Sequence, residues 1–184
     1  IRGKKIPSHK PKAAIKSGLA LLTEDRKISG LFLNRSVREN ISIVGLSRFA
    51  RPLLSFGQEK RLVGSFIQRL DIKTPSSEQE VGYLSGGNQQ KVVLAKWLFR
   101  DVDILLFDEP TVGIDVNTKR EIYKLMSEFV SRGKAIVMVS SEMPELVSLC
   151  DRVVVINKGG ISAVLSGQQI TEQNIFLNSV GGRR

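Results

Sequence analysis

Two short stretches of the sequence carry residue types that could do chemistry. Leu84-Ser85-Gly86-Gly87-Asn88-Gln89-Gln90-Lys91 sets a hydroxyl and two glycines at the start of a helical pattern. The first amides of a helix have no intrahelical acceptor, and the helix dipole favours negative charge beside them. Glycines let an anion come close to the backbone there, and Ser85 adds a donor. On its own the stretch is equally an ordinary helix start. The second stretch, Ile104-Leu105-Leu106-Phe107-Asp108-Glu109-Pro110, carries two carboxylates to the end of an apolar strand. In an open α/β sheet that end faces ligands. Asp108 suits a magnesium ion held through water in a phosphoryl-transfer site. Glu109, one residue on, points elsewhere and suits orienting or deprotonating an attacking water. This stretch also has a plain alternative, a strand followed by an acidic helix cap.

The elements that must position these groups alternate in type. Gly18–Leu22 reads as a short buried strand. Ser36-Val37-Arg38-Glu39 has the spacing of a capping box, so a helix starts at Ser36. Arg48–Gly57 reads as a loop around Pro52, and Gln58–Leu70 as a helix with Leu62, Val63, Phe66, Ile67 and Leu70 on one stripe. A polar connection over Lys73–Glu80 leads to a helix over Gly86–Arg100. Ile104–Phe107 and Ala135–Val139 read as buried strands around a helix opened by Asp115, with Ile122, Leu125, Met126, Phe129 and Val130 facing inward. Met143, Leu146, Val147 and Cys150 share one face of a further helix. Val153–Ile156 and Ile161–Leu165 flank Asn157-Lys158-Gly159-Gly160, a hairpin signal. Strand–helix alternation predicts an α/β unit with a largely parallel sheet, and residues 30–100 a helical insert in it.

Composition narrows the classes. The 184 residues are 41% hydrophobic and 25% charged, as in a globular domain and unlike a disordered chain. One cysteine excludes an internal disulfide framework and a Cys-only metal cage; one histidine, His9, excludes a two-histidine site. No apolar run has membrane-spanning length, and no signal peptide is visible behind Ile-Arg-Gly-Lys-Lys. The net charge is +10, of which residues 1–50, with 11 basic and 3 acidic residues, hold +8. A basic segment can face nucleic acid or an anionic membrane, but no aromatics interleave with Lys4, Lys5, Lys10, Lys12 and Lys16 as a single-strand binder needs. A solvated face is the plain reading, and so it is for His9 and Lys91. Cys150 reads as a core thiol and Trp97 as packing.

In combination the two stretches resemble the ATP-binding-cassette (ABC) ATPases. Leu84–Gln89 is similar to the signature motif, Ile104–Glu109 to the Walker B strand and Val112-Gly113-Ile114-Asp115 to the D-loop. Thr23-Glu24-Asp25-Arg26-Lys27, Leu31, Ser36–Asn40, Ser140-Ser141-Glu142 and Gln173–Gly182 narrow the resemblance. They match the second cassette of bacterial monosaccharide importers of the ribose, galactose and xylose kind. The resemblance implies a P-loop NTPase core with a parallel sheet and an inserted α-helical subdomain. Residues 1–29 would be a core remnant, 30–100 the helical subdomain, and 101–184 core with Walker B and D-loop. No Gly-x-x-x-x-Gly-Lys-Ser/Thr loop is present; Gly133-Lys134 is followed by Ala135. The phosphate cradle should precede residue 1, so the chain reads as a fragment that does not hydrolyse ATP alone.

The resemblance also implies roles. Ser85, Gly86, Gly87 and Asn88 would bind the γ-phosphate of an ATP held by the other cassette of the same chain, with Asp115 in the D-loop. Asp108 and Glu24, the latter standing where the Q-loop glutamine belongs, would serve magnesium, and Glu109 would be the base. Ser141 stands in place of the switch histidine, which points to a weakened site. Partners would be permease subunits docking near Glu24–Leu33 and, indirectly, a periplasmic sugar-binding protein, at the cytoplasmic face of the inner membrane. The alternatives are a non-transport ABC protein acting on nucleic acid and an inert interaction module.

Overall fold

The computed structural model describes residues 1, 3–48 and 55–181. They form two compact units, Ile1–Val139 and Ser140–Arg184. In the first, a short helix α1 (Pro11–Lys16) leads into β1 (Leu19–Leu22). One wide π-helical turn, Arg26–Gly30, follows, and Asp25 caps it by accepting from the Lys27 and Ile28 amides. Helix α2 (Val37–Ser42) carries the expected capping box: the Glu39 amide donates to Ser36 Oγ, and the Ser36 amide donates to Glu39 Oε2. The Ser36 bonds hold the Glu39 carboxyl below its ordinary range. Helix α3 (Phe56–Arg69) begins two residues before the expected Gln58. Of the expected Arg48–Gly57 loop, residues 49–54 lie outside the described residues, while Phe56 and Gly57 are helical.

Helix α4 (Gly86–Arg100) has the predicted bounds, and β2 (Ile104–Asp108), α5 (Val116–Val130) and β3 (Ala135–Val139) complete the unit. The strands form a parallel sheet in the order β1-β2-β3, with Leu22 beside Phe107 and Asp108 beside Val139. Buried Leu22, Leu105, Phe107, Ile122 and Phe129 join sheet to helix, and Val37, Ile41, Val63, Val92 and Phe99 bind the helices to one another. The strands are not buried on both faces as expected. Leu21 is exposed on β1, and on β3 Val137 and Val139 are 56% and 60% exposed. Alternate side chains of a strand leave by opposite faces, so cover by helices on one face buries only every second residue.

The second unit holds α6 (Met143–Leu149), β4 (Arg152–Asn157), β5 (Gly160–Ser166) and α7 (Glu172–Ser179). β4 and β5 make the predicted antiparallel hairpin, turning through Lys158 and Gly159 at φ 48° and 78°. Its core is Val153, Val155, Leu165, Ile170 and Ile175, with Met143, Leu146, Cys150 and Ala163 against it. Val147, expected on that face, is exposed. Cys150 is half-buried, and burial pushes its thiol pKa up. His9 is exposed and Trp97 half-buried.

Candidate functional site

Three segments of the first unit converge at the C-terminal edge of the parallel sheet. Each follows or faces a strand end. Glu24 lies just past β1, Asp108 ends β2, and α4 starts beside the loop that follows Glu109. Register alone aligns the first two: Leu22 pairs with Phe107, so Glu24 and Glu109 leave the same edge two residues on. Side chains close the rest. Gln90 Nε2 donates to the Pro110 carbonyl at 2.8 Å, which pins α4 to the loop after Glu109. Arg26 Nη1 donates to the Val112 carbonyl at 3.4 Å, bringing in the segment that carries Glu24.

Glu109 sits at φ +47°, a left-handed conformation that costs a non-glycine residue about 1–3 kcal/mol. Its neighbours hold it there: the Glu109 amide donates to the Val139 carbonyl of β3, and its carbonyl accepts from the Val112 amide. Pro110 and Thr111 behind it are buried. Asp108 and Glu109 are both half-buried. Glu24 is exposed.

At the α4 start, Ser85 is the N-cap. Its Oγ accepts from the Asn88 amide at 3.5 Å and from Asn88 Nδ2 at 2.9 Å. Asn88 Oδ1 in turn accepts from the Lys73 amide. The Gly86 and Gly87 amides make no hydrogen bond among the described residues, so this end keeps open donors for an anion. The paired glycines also have a packing reason. A Cβ on Gly87 would stand 2.7 Å from Thr118 Cγ2, and one on Gly86 2.7 Å from an Arg26 guanidinium nitrogen. The α4 start is therefore seated directly on the first turn of α5.

Asp115 caps that turn. Its Oδ1 accepts from the Asn117 and Thr118 amides, and its Oδ2 from the Thr118 hydroxyl. These bonds, the Thr118 hydroxyl first, hold its carboxyl below the usual range. In the second unit, Ser140 Oγ donates to buried Glu145 and accepts from the Glu142 amide, while Ser141 is exposed.

Four residues of the framework were not singled out from the sequence as such. Arg26 bridges the segments with its Nε buried and without a hydrogen-bond partner. Gln90, Lys96 and Thr118 fix the approach of α4. Lys91 corrects an expectation: it is 4% exposed, not solvated. Its ammonium donates to the Asp71 carbonyl and pairs with Glu121 at 2.5 Å. The available signal was the run Gln89-Gln90-Lys91 inside a helix apolar on several sides, where polar groups must find partners.

The donor set fits a magnesium–phosphate group. Among the described residues no three His, Cys, Asp or Glu groups gather to hold a metal by themselves. Magnesium takes only one or two carboxylates and completes its shell with water and phosphate oxygens, so a cluster of three ligands is not required of the protein. Open amides at a helix start are the complement of phosphate oxygens.

The ABC transporter family matches residues 1–112. The chain is 47% identical, over its full length, to the ribose import ATP-binding protein of Bacillus subtilis, of which it covers 37%. It is 48% identical over 99% of its length to a putative ribose/galactose/methyl galactoside import ATP-binding protein of Rhizobium etli, covering 35% of that protein. The chain thus spans about a third of the length of these relatives. Among solved structures it is similar, with a TM-score of 0.70 and 20% identity, to a dimeric ATP-binding cassette in a post-hydrolysis state bound to ADP and Pi. That match covers 82% of this chain and 63% of the other.

Proposed function

The chain belongs to the ABC transporter family, and within it we propose that this is part of the second cassette of an ATP-hydrolysing subunit that drives sugar import. The observation that carries the reading is the convergence of Glu24, Asp108–Glu109 and the Ser85-capped helix start at one sheet edge, tied by Gln90–Pro110 and Arg26–Val112.

Asp108 and Glu24 would hold magnesium, which when bound would neutralise phosphate charge. Glu109, next after Asp108 on the same strand end, would accept the proton of the attacking water. Ser85 with the Gly86 and Gly87 amides would receive the γ-phosphate of ATP seated in the other cassette of the full chain, and Asn88 would keep that turn in shape. Asp115, its oxygens taken up by α5, would set the D-loop rather than touch nucleotide. Ser141 is too short for the bridge that a histidine makes and does not titrate near neutrality, so this cassette's own site would be the weaker one. Residues 30–100 would be the helical subdomain between core parts 1–29 and 101–184. Permease subunits would dock near Glu24–Leu33, where Ile28 and Phe32 are 84% and 53% exposed. A periplasmic sugar-binding protein would act through them, with the subunit peripheral at the cytoplasmic face of the inner membrane. Among the described residues no helix is long and apolar enough to cross a membrane.

Ser85→Arg in the full-length protein tests the reading. Bulk and charge at the helix start should abolish transport and ATP-driven closure while ATP still binds the other cassette. Transport at the wild-type rate would overturn the assignment.

A further inference from the structure

Arg26 opens the π-helical turn two residues past Glu24, yet its side chain ends at the start of α4. A Cβ on Gly86 would stand 2.7 Å from Arg26 Nη2, 3.7 Å from its Cζ and 3.5 Å from the Gly113 carbonyl. Nη1 donates to the Val112 carbonyl at 3.4 Å, a long bond. The guanidinium therefore fills the slot between the first residue of α4 and the Val112–Gly113 turn. Gly86 leaves it room because it has no Cβ.

This is a poor seat by the measures that stabilise a resting fold. Nε is buried without a hydrogen-bond partner, and among the described residues no carboxylate pairs with the guanidinium. The cation also stands beside the positive end of α4, where the helix dipole disfavours it. An orphaned donor and a charge in the wrong field both work against folding. Local rules broken in this way, with no local gain, belong to functional sites. An anion arriving at the Gly86 and Gly87 amides reverses the sign of the electrostatic contribution, since the same cation then faces opposite charge.

We propose that Arg26 is a positioning residue for the γ-phosphate site. It acts through Gly86, setting the distance of the α4 start from the D-loop and adding positive potential there, and it does not touch nucleotide. This role rests on the reading of Ser85, Gly86 and Gly87 as that site. It calls for arginine rather than lysine, because a planar group lies flat against a glycine and reaches Val112 at the same time. Glu24 and Arg26 share one short stretch of backbone. The magnesium side of this cassette's own site is thereby tied to the helix start offered to the other cassette.

The test compares wild type, Arg26→Met and Arg26→Lys in the full-length protein. Arg26→Met removes the orphaned donor and the charge while keeping a long side chain. The melting temperature of its nucleotide-free form should therefore stay at or above wild type. The ATP concentration for half-maximal hydrolysis should rise about ten-fold, with kcat within about two-fold, as for a contact that favours the closed state without entering the chemistry. Arg26→Lys, which keeps the charge but not the fork, should return part of the rise. A lower melting temperature in Arg26→Met, an unchanged half-saturation, a loss confined to kcat, or no return with lysine would each overturn the role. Ser85→Arg separates the two possible failures. If transport survives it, the γ-phosphate reading itself falls. If it blocks transport while Arg26→Met keeps the wild-type half-saturation, only the role of Arg26 falls.

Discussion

Helices α4 and α5 are both fifteen residues long, both start with a side-chain cap, and they touch at their first turns, yet they are built on opposite plans. Helix α5 buries only Ile122, Leu125, Met126 and Phe129, one apolar stripe. Helix α4 buries ten of its residues, among them Gln89, Gln90, Lys91 and Lys96. Those four are not a defect in the core. Each donates to a backbone carbonyl of a different segment: Gln89 to Val81, Gln90 to Pro110, Lys91 to Asp71 and Lys96 to Gly30. A stripe helix is held by area removed from water, which is tolerant of small displacements. A helix wired by polar contacts is held by direction, because an unmade bond at a buried group costs about 1–3 kcal/mol. The directional helix is the one that presents Ser85 and the open amides. Two of its bonds, Gln90–Pro110 and Lys96–Gly30, reach the segments next to Glu109 and Glu24.

The largest effect that should separate the two plans is at Lys96. The residue is 7% exposed, and burial pushes its pKa down from 10.5 to about 8. A depressed lysine means that, between the two values, the unfolded chain holds a proton that the folded chain has released. Stability therefore rises with pH across the window from about 8 to 10.5, by roughly 3 kcal/mol in total. Lys96→Met should remove that slope. At neutral pH its stability should stay near wild type, since losing a buried charge offsets the Gly30 carbonyl left without its donor. Urea titrations of both proteins between pH 7 and pH 10 give the comparison. Parallel curves would mean that Lys96 is not a buried cation and that α4 is held as α5 is.

What could be read beforehand follows the same division. The α5 stripe (except Val130, expected inside but 43% exposed at the last turn), the α4 bounds, the capping box at Ser36 and the hairpin at Lys158-Gly159 are local patterns, set by a period of 3.6 or 2 or by a turn type. The sequence displays them without help from the fold. Lys91 was expected in solvent because a lysine on a helix is usually there, and only the positions of Asp71 and Glu121 make burial affordable. The exposure of Val137 and Val139 was hidden for a like reason: an apolar run looks the same whether one face or both are covered. At the site, the glycine pair was legible as an anion cradle but not as the seat for Thr118, which lies thirty-one positions on from Gly87. Arg26 was legible as part of the Thr23–Lys27 motif but not as a bridge between segments, since its partner Val112 is distant in sequence.

A smaller effect tests the contact between the two helices. Gly87→Ala puts a methyl 2.7 Å from Thr118 Cγ2 and 2.8 Å from its Oγ1, so one helix start must move. Overpacking of this kind costs about 1–3 kcal/mol. Adding Thr118→Ala should return part of it, giving a coupling of at least about 0.5 kcal/mol in a double-mutant cycle on denaturation midpoints. Additive losses would place the strain elsewhere. Because α4 is the directional helix, Gly87→Ala should also reduce transport by the full-length protein more than its stability loss alone requires.

The smallest effect concerns the caps. Helix α5 starts on a carboxylate and α4 on a hydroxyl, so acid should loosen only the first. Asp115 is held below its ordinary value of 3.8 by the Thr118 hydroxyl and the amides it accepts from. Its contribution is present in full above pH 3.8 and is lost as pH falls through the lower folded value. Asparagine is also a good cap and keeps an acceptor for the same two amides, while the negative charge at the positive end of the helix is lost. Asp115→Asn should therefore lower the melting temperature slightly at pH 7, and the wild-type and variant curves should converge as pH falls below 3.8. Amide chemical shifts resolve the two starts separately. Those of Asn117 and Thr118 should titrate in the wild type and stay flat in the variant, and that of Asn88, bonded to Ser85, should stay flat in both. If Asn88 follows the Asp115 titration, the seat of Gly87 on Thr118 transmits charge as well as shape, and the two helix starts respond as one unit.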